Sequence, residues 1–198
     1  MATKIDIVGL GDSLTYGYPY GPEASWLHLV AQRTGLVVEN RGVNGETTGE
    51  MLARFHEDVL RLEPRAVIIM GGTNDAWAGV EVSRVRENVR VMVEKAREGG
   101  IAPVIALPPP LCRADAGVPL LFLTEMASLL ESYREAYREL TAKEGLMLLD
   151  FYTPLVDPAT GWGRGEYFVD DAHPNRRGYQ VMAEAVLGKL LNLLQGLF

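Results

Sequence analysis

Runs rich in valine and isoleucine alternate along the chain with longer stretches of helical period, and that alternation points to a parallel sheet with crossover helices. Five runs have strand character: Ile5 to Leu10, Val37 to Asn40, Ala66 to Met70, Val104 to Leu107 and Leu146 to Leu149. Val82, Val85, Val89, Met92 and Val93 recur at helix spacing, as do Met126, Leu129, Leu130, Tyr133, Tyr137 and Leu140. Each of these stretches should lay one apolar face on the sheet. Pro22 near a start and Gly35 at an end bracket a helix through Trp26 and Val30, and a last helix opens near Asn175 and runs to about Leu194. With no repeat and no linker, residues 1–198 are expected to form one domain.

Composition excludes some classes of function. Apolar residues at 47% and charged residues at 23% suit a folded soluble chain, and no segment is biased enough to stay disordered. A formal charge of -7 repels phosphate backbones, so nucleic acid is not an expected partner. No apolar run reaches transmembrane length, no basic amphipathic helix suggests stable membrane association, and Met1 to Val8 lacks the pattern of a secretory signal. The expected compartment is the cytoplasm, although a trimmed secreted form fits as well. The lone Cys112 excludes an internal disulfide and reads as a buried thiol, and no cluster of side chains has metal-ligand spacing. Neither a metal nor a cofactor is expected.

Four short motifs carry the chemistry: Gly11-Asp12-Ser13-Leu14-Thr15, Asn44-Gly45-Glu46-Thr47, Gly71-Gly72-Thr73-Asn74-Asp75 and Asp170-Asp171-Ala172-His173-Pro174-Asn175. Ser13, Gly45 and Asn74 each follow a strand within a few residues, and His173 follows the fifth strand through a long loop. In open parallel sheets, ligands bind beyond the carboxyl ends of the strands, so the motifs converge on one edge. A serine hydroxyl needs a base, a carboxylate to orient that base, and donors for the oxyanion. Ser13 supplies the hydroxyl, and His173 supplies the base, with Asp170 three residues earlier to fix its tautomer. Asp171 competes with Asp170 for that role. Asn74 offers a side-chain amide, Gly45 a backbone amide with Gly42 as its rival, and Ser13 a further backbone amide. Read without chemistry, Ser13 and Asp12 could cap a helix, the glycines could serve turns, and His173 could cap the last helix. His28 and His56 fall in helices and read as surface or half-buried residues.

In their order and across nearly the whole chain, these blocks resemble the SGNH hydrolase superfamily, also called GDSL lipases and esterases. The resemblance implies a three-layer α/β/α fold of flavodoxin-like kind with a five-stranded parallel sheet and helices on both faces. It also implies Ser13 as nucleophile, Asp170 and His173 as its partners, and Gly45 and Asn74 as oxyanion donors with the Ser13 amide. The expected activity is hydrolysis of a small-molecule ester or thioester with a short to medium acyl group. A sugar O-acetyl esterase or an acyltransferase would use the same site. A flavodoxin-like module binding phosphate or nucleotide at the Ser13 turn is the alternative outside enzymes.

Trp77, Pro110 and Leu111 lie in apolar loops at the expected mouth, where they would suit an acyl or aryl group. The run Val118 to Leu123 could form a lid or a dimer contact, but a buried helix start is the simpler account.

Overall fold

The computed structural model describes residues 4–114 and 117–195, with side chains to 193. Five parallel strands lie in the order β2-β1-β3-β4-β5: β1 Ile7–Gly11, β2 Val38–Gly42, β3 Ala66–Met70, β4 Ala102–Leu107 and β5 Met147–Asp150. The helices in chain order are α1 Ser13–Tyr16, α2 Trp26–Thr34, α3 Thr48–Ala53, α4 Phe55–Asp58, α5 Thr73–Trp77, α6 Val82–Glu98, α7 Leu120–Glu144 and α8 Arg176–Gln195. Strand order reverses beside β1, which has β2 on one side and β3 on the other, so the crevice beyond these carboxyl ends is the place for a ligand.

Alternation along the strands divides the core into two layers. Val8, Leu10, Val67, Ile69, Ile105 and Leu107 face Met51, Phe55 and residues of α6 and α7. Ile7, Ile68, Met70, Val104 and Ala106 face Trp26, Leu27 and Val30 of α2 and Tyr179, Met182 and Val186 of α8. A parallel sheet covered on both sides needs strands that are apolar at every position, and β1 and β3 are buried throughout.

β3 has the ends read from the sequence, and the other strands differ from that reading by one or two residues at an end. β2 runs on past Asn40 through Arg41 and Gly42 because it is an edge strand with half-exposed residues, and apolar patterning stops before the pairing does. β4 starts at Ala102 and includes Pro103, which pairs with Val67 of β3 at a level where β5 has not yet begun. Proline is tolerated where only one neighbour flanks it. Pro22 opens a short 3-10 turn, and Ser25 caps α2 by accepting the His28 N–H. Val118 to Leu123 is only in part a buried helix start: Leu120 and Leu121 are 55% and 73% exposed, whereas Val118 and Phe122 pack half-buried against the core and Leu123 is buried in it. Among the described residues, no helix is long and apolar enough to cross a membrane.

Candidate active site

Ser13 is the first residue of α1, and Asp12 caps that helix by accepting the Leu14 N–H at 2.9 Å. The capping role thus belongs to Asp12, which leaves the Ser13 hydroxyl uncommitted to the helix. Its Oγ lies 3.0 Å from Nε2 of His173. Nδ1 of the same ring lies 2.8 and 3.0 Å from the two oxygens of Asp170.

Asp170 builds its own corner. Besides the imidazole, its Oδ1 accepts the backbone N–H groups of Ala172 and His173 at 2.9 and 2.7 Å. Burial pushes this carboxyl up, but the bonds from His173 and Ala172 outweigh it and hold the group below the usual carboxylate range. Asp170 therefore stays ionised beside the ring. Asp171 points elsewhere, with Oδ1 accepting Ala114 N–H and its carbonyl accepting Cys112 N–H, both at 2.8 Å. His28 is half-buried in α2 and His56 is exposed in α4, while Cys112 is buried.

Gly42 and Gly45 are separated by their surroundings. The Gly42 N–H is given to Oδ1 of Asn40 at 2.9 Å, and a Cβ there would meet the Tyr16 backbone nitrogen at 2.2 Å. Close packing explains that glycine. Gly45 stands in open space at φ +84°, and among the described residues its N–H and that of Ser13 have no partner. Asn74 is more committed than its sequence suggests. Its Nδ2 donates to the Glu46 carbonyl at 2.9 Å and faces Asp12 Oδ2 at 3.4 Å, beyond an ordinary N–H···O distance. One of its two hydrogens is thus held and the other is only loosely engaged.

Two buried acids of the motifs back this wall, and beyond the helix cap read for Asp12 their roles were not apparent from the sequence. Asp12 is 0% exposed, and burial drives its carboxyl up to about 7, with the Leu14 N–H and His173 pulling the other way. Asp75 accepts the backbone N–H and hydroxyl of Thr48 at 2.9 and 2.6 Å, and Asn88 donates to that hydroxyl at 3.0 Å. Burial raises Asp75 too, against the lowering effect of Thr48. The sequence signal for Asp75 was only an acid next to Asn74, and for Asp12 a possible helix cap.

A cleft of about 250 Å³ opens on Ser13, Asn74, Asp170 and His173, and Trp77, Val118, Met126 and Ala172 give it apolar walls. Trp77 is 56% exposed and meets Phe122 edge to face. Pro110 and Leu111 are not in this cleft. They are buried and line a separate hollow of about 150 Å³ with Arg134, Tyr152 and Trp162, because Arg134 draws the carbonyls of Pro108 and Pro109 inward. Tyr18 lies against the His173 ring instead, with centroids 4.5 Å apart. Among the described residues, no group of His, Cys, Asp and Glu is arranged to hold a metal ion.

Comparison with known proteins agrees with this architecture. The sequence profile of the GDSL-like lipase/acylhydrolase family matches residues 10–181. A solved structure from Desulfitobacterium hafniense, described as a candidate lipolytic protein of the G-D-S-L family, superimposes with a TM-score of 0.81 at 30% identity, over 92% of this chain and 98% of the other. An uncharacterized lipoprotein of Bacillus subtilis is 26% identical over 91% of this chain and 87% of its own. The thioesterase/protease/lysophospholipase of Escherichia coli is 24% identical over 93% of this chain and 83% of its own.

Proposed function

The chain belongs to the GDSL-like lipase/acylhydrolase family and is a carboxylic ester hydrolase, and we propose that Ser13, His173 and Asp170 carry its reaction on short to medium acyl esters or thioesters. The observation that carries this reading is the unbroken run from Ser13 Oγ through the imidazole to Asp170.

In the proposed reaction, His173 Nε2 takes the hydroxyl proton as Ser13 Oγ bonds to the ester carbonyl carbon. Asp170 stabilises the imidazolium and keeps the ring in its tautomer. The carbonyl oxygen, now negative, is held by the N–H groups of Gly45 and Ser13 and by the loosely engaged hydrogen of Asn74. The tetrahedral species collapses, the bond from the acyl carbon to the leaving group breaks (carbon–oxygen in an ester, carbon–sulfur in a thioester), and His173 returns the proton to the departing alcohol or thiol. Water, deprotonated by His173, then cleaves the acyl-enzyme and restores Ser13.

Two observations limit the substrate. The cleft is smaller than the roughly 300–1,000 Å³ of drug-sized sites, and its side walls are apolar, which suits a short acyl chain better than a sugar. The E. coli relative is named for thioester and lysophospholipid cleavage, and that name agrees with an acyl group as the recognised part. A phosphate-binding role for the Ser13 turn is disfavoured by Asp12, whose carboxyl already caps the helix end where an anion would sit. Ser13→Ala should abolish turnover of p-nitrophenyl butyrate and labelling by a fluorophosphonate while leaving the melting temperature close to wild type. Undiminished hydrolysis by that variant would end the assignment.

A further inference from the structure

Arg54 sits where α3 gives way to α4, with its side chain 17% exposed, and its guanidinium points into the donor wall. Nη2 donates to the carbonyls of Gly11 and Arg41, each at 3.0 Å. Nε donates to the Glu46 carboxylate at 2.5 Å, and Nη1 donates to Asp58 Oδ2 at 2.6 Å. One side chain therefore binds the end of β1 just before Ser13, the end of β2, and the loop that carries Gly45. The same loop is tied at Val43, whose N–H goes to the Gly11 carbonyl at 3.0 Å, and at Glu46, whose carbonyl holds Asn74.

Resting on the hydrolase reading above, we propose that Arg54 is a positioning residue that sets the Gly45, Ser13 and Asn74 donors at a common distance from the oxyanion. It touches no reacting atom. Every donor lies within two residues of a group that Arg54 holds, or is held through Glu46.

The planar fork is what the position requires. Four acceptors from three separate segments plus α4 are satisfied by donors of fixed relative direction, whereas the tetrahedral ammonium of lysine offers three donors around a single point. Two carboxylates, Glu46 and Asp58, offset the charge, so Arg54 is not an isolated half-buried cation. Placement of α3 and α4 has anchors besides it. Met51, Phe55 and Val59 anchor them in the core, and a capping box between Thr47 and Glu50 holds the start of α3.

The test compares wild type with Arg54→Gln, Arg54→Lys and Glu46→Gln by p-nitrophenyl butyrate kinetics, by melting temperature, and by inhibition with an aryl boronic acid and with butyrate. The boronate adopts the tetrahedral, anionic form that uses the donors, whereas butyrate reports ground-state occupancy of the cleft. Misplacement by about 1 Å can cost 100-fold, so Arg54→Gln should lose about 10- to 100-fold in kcat with KM within about twofold. Boronate inhibition should weaken by a similar factor, with butyrate inhibition unchanged. Arg54→Lys should recover only part of the loss, and Glu46→Gln should lose less than Arg54→Gln. If Arg54→Gln does not fold, the other two variants decide. Wild-type kcat in all soluble variants would overturn the assignment, and so would a loss of kcat without weaker boronate inhibition. Failure of wild type to react with the fluorophosphonate is a separate result, which would remove the hydrolase reading beneath it.

Discussion

On the His173 side of the cleft, the carboxylate and the imidazole are three residues apart in one loop, and Asp170 collects two backbone N–H groups of that loop together with the ring. On the Ser13 side, the groups come from the ends of β1, β2 and β3 and are joined by Arg54, Asp12, Asp75 and the Glu46 carbonyl. The first is a local device, made largely by a short piece of chain. The second is an assembly whose geometry depends on how several elements pack. Chemistry at the local device should depend on single side chains, whereas chemistry at the assembly should also respond to changes that alter the folded frame.

The contrast is tested most severely at Asp170. Asp170→Asn keeps the size of the side chain but loses the charge, and kcat should fall by about 10⁴ with little change in thermal stability. A fall of less than tenfold would mean that the loop does not orient the base through this residue.

Asp12 should behave in the opposite way, through stability. Its folded-state value of about 7 lies above the ordinary 3.8, so between these values the folded chain keeps a proton that the unfolded chain releases. Stability contributed here is present below about pH 4, declines as pH rises toward about 7, and is lost beyond it, by up to about 4 kcal/mol. Asp12→Asn should flatten that slope, read as the difference in urea midpoint between pH 5 and pH 8. An unchanged slope would show that Asp12 is ionised in its burial.

Asn74→Ala removes a donor from the assembled wall and should cost about 2.7 to 4 kcal/mol in kcat, with KM nearly constant. A rise in KM with kcat preserved would move Asn74 from the oxyanion to substrate binding.

Trp77 is the mildest case. Trp77→Ala should reduce kcat/KM for a hexanoate ester by about tenfold and leave an acetate ester within about twofold. Equal effects on both esters would remove Trp77 from the acyl wall.

What could be read in advance follows the same division. The five strands were visible because β1, β3 and most of β4 are apolar throughout, while the end of edge strand β2 was missed because its residues are polar. The short spacing from Asp170 to His173 was visible because a loop can close over three residues. The choice between Gly42 and Gly45 was not, since it turns on whether Asn40 and Tyr16 crowd one of them. Pro110 and Leu111 were misplaced because their apolar character fits a binding loop and a buried loop equally well. Arg134, far along the chain in α7, draws that loop inward.

By itself the sequence determined the layered parallel fold, the edge at which the motifs meet, and the side chains proposed to react, because periodicity and short-range spacing act within a few turns of chain. Tertiary structure alone decided which amides are left without partners among the described residues, which acids are buried until their proton affinity rises, and that one arginine reaches two strand ends and the Gly45 loop. Those properties are set by distances between segments far apart in the chain, and such distances exist only once the two apolar layers have packed on the sheet.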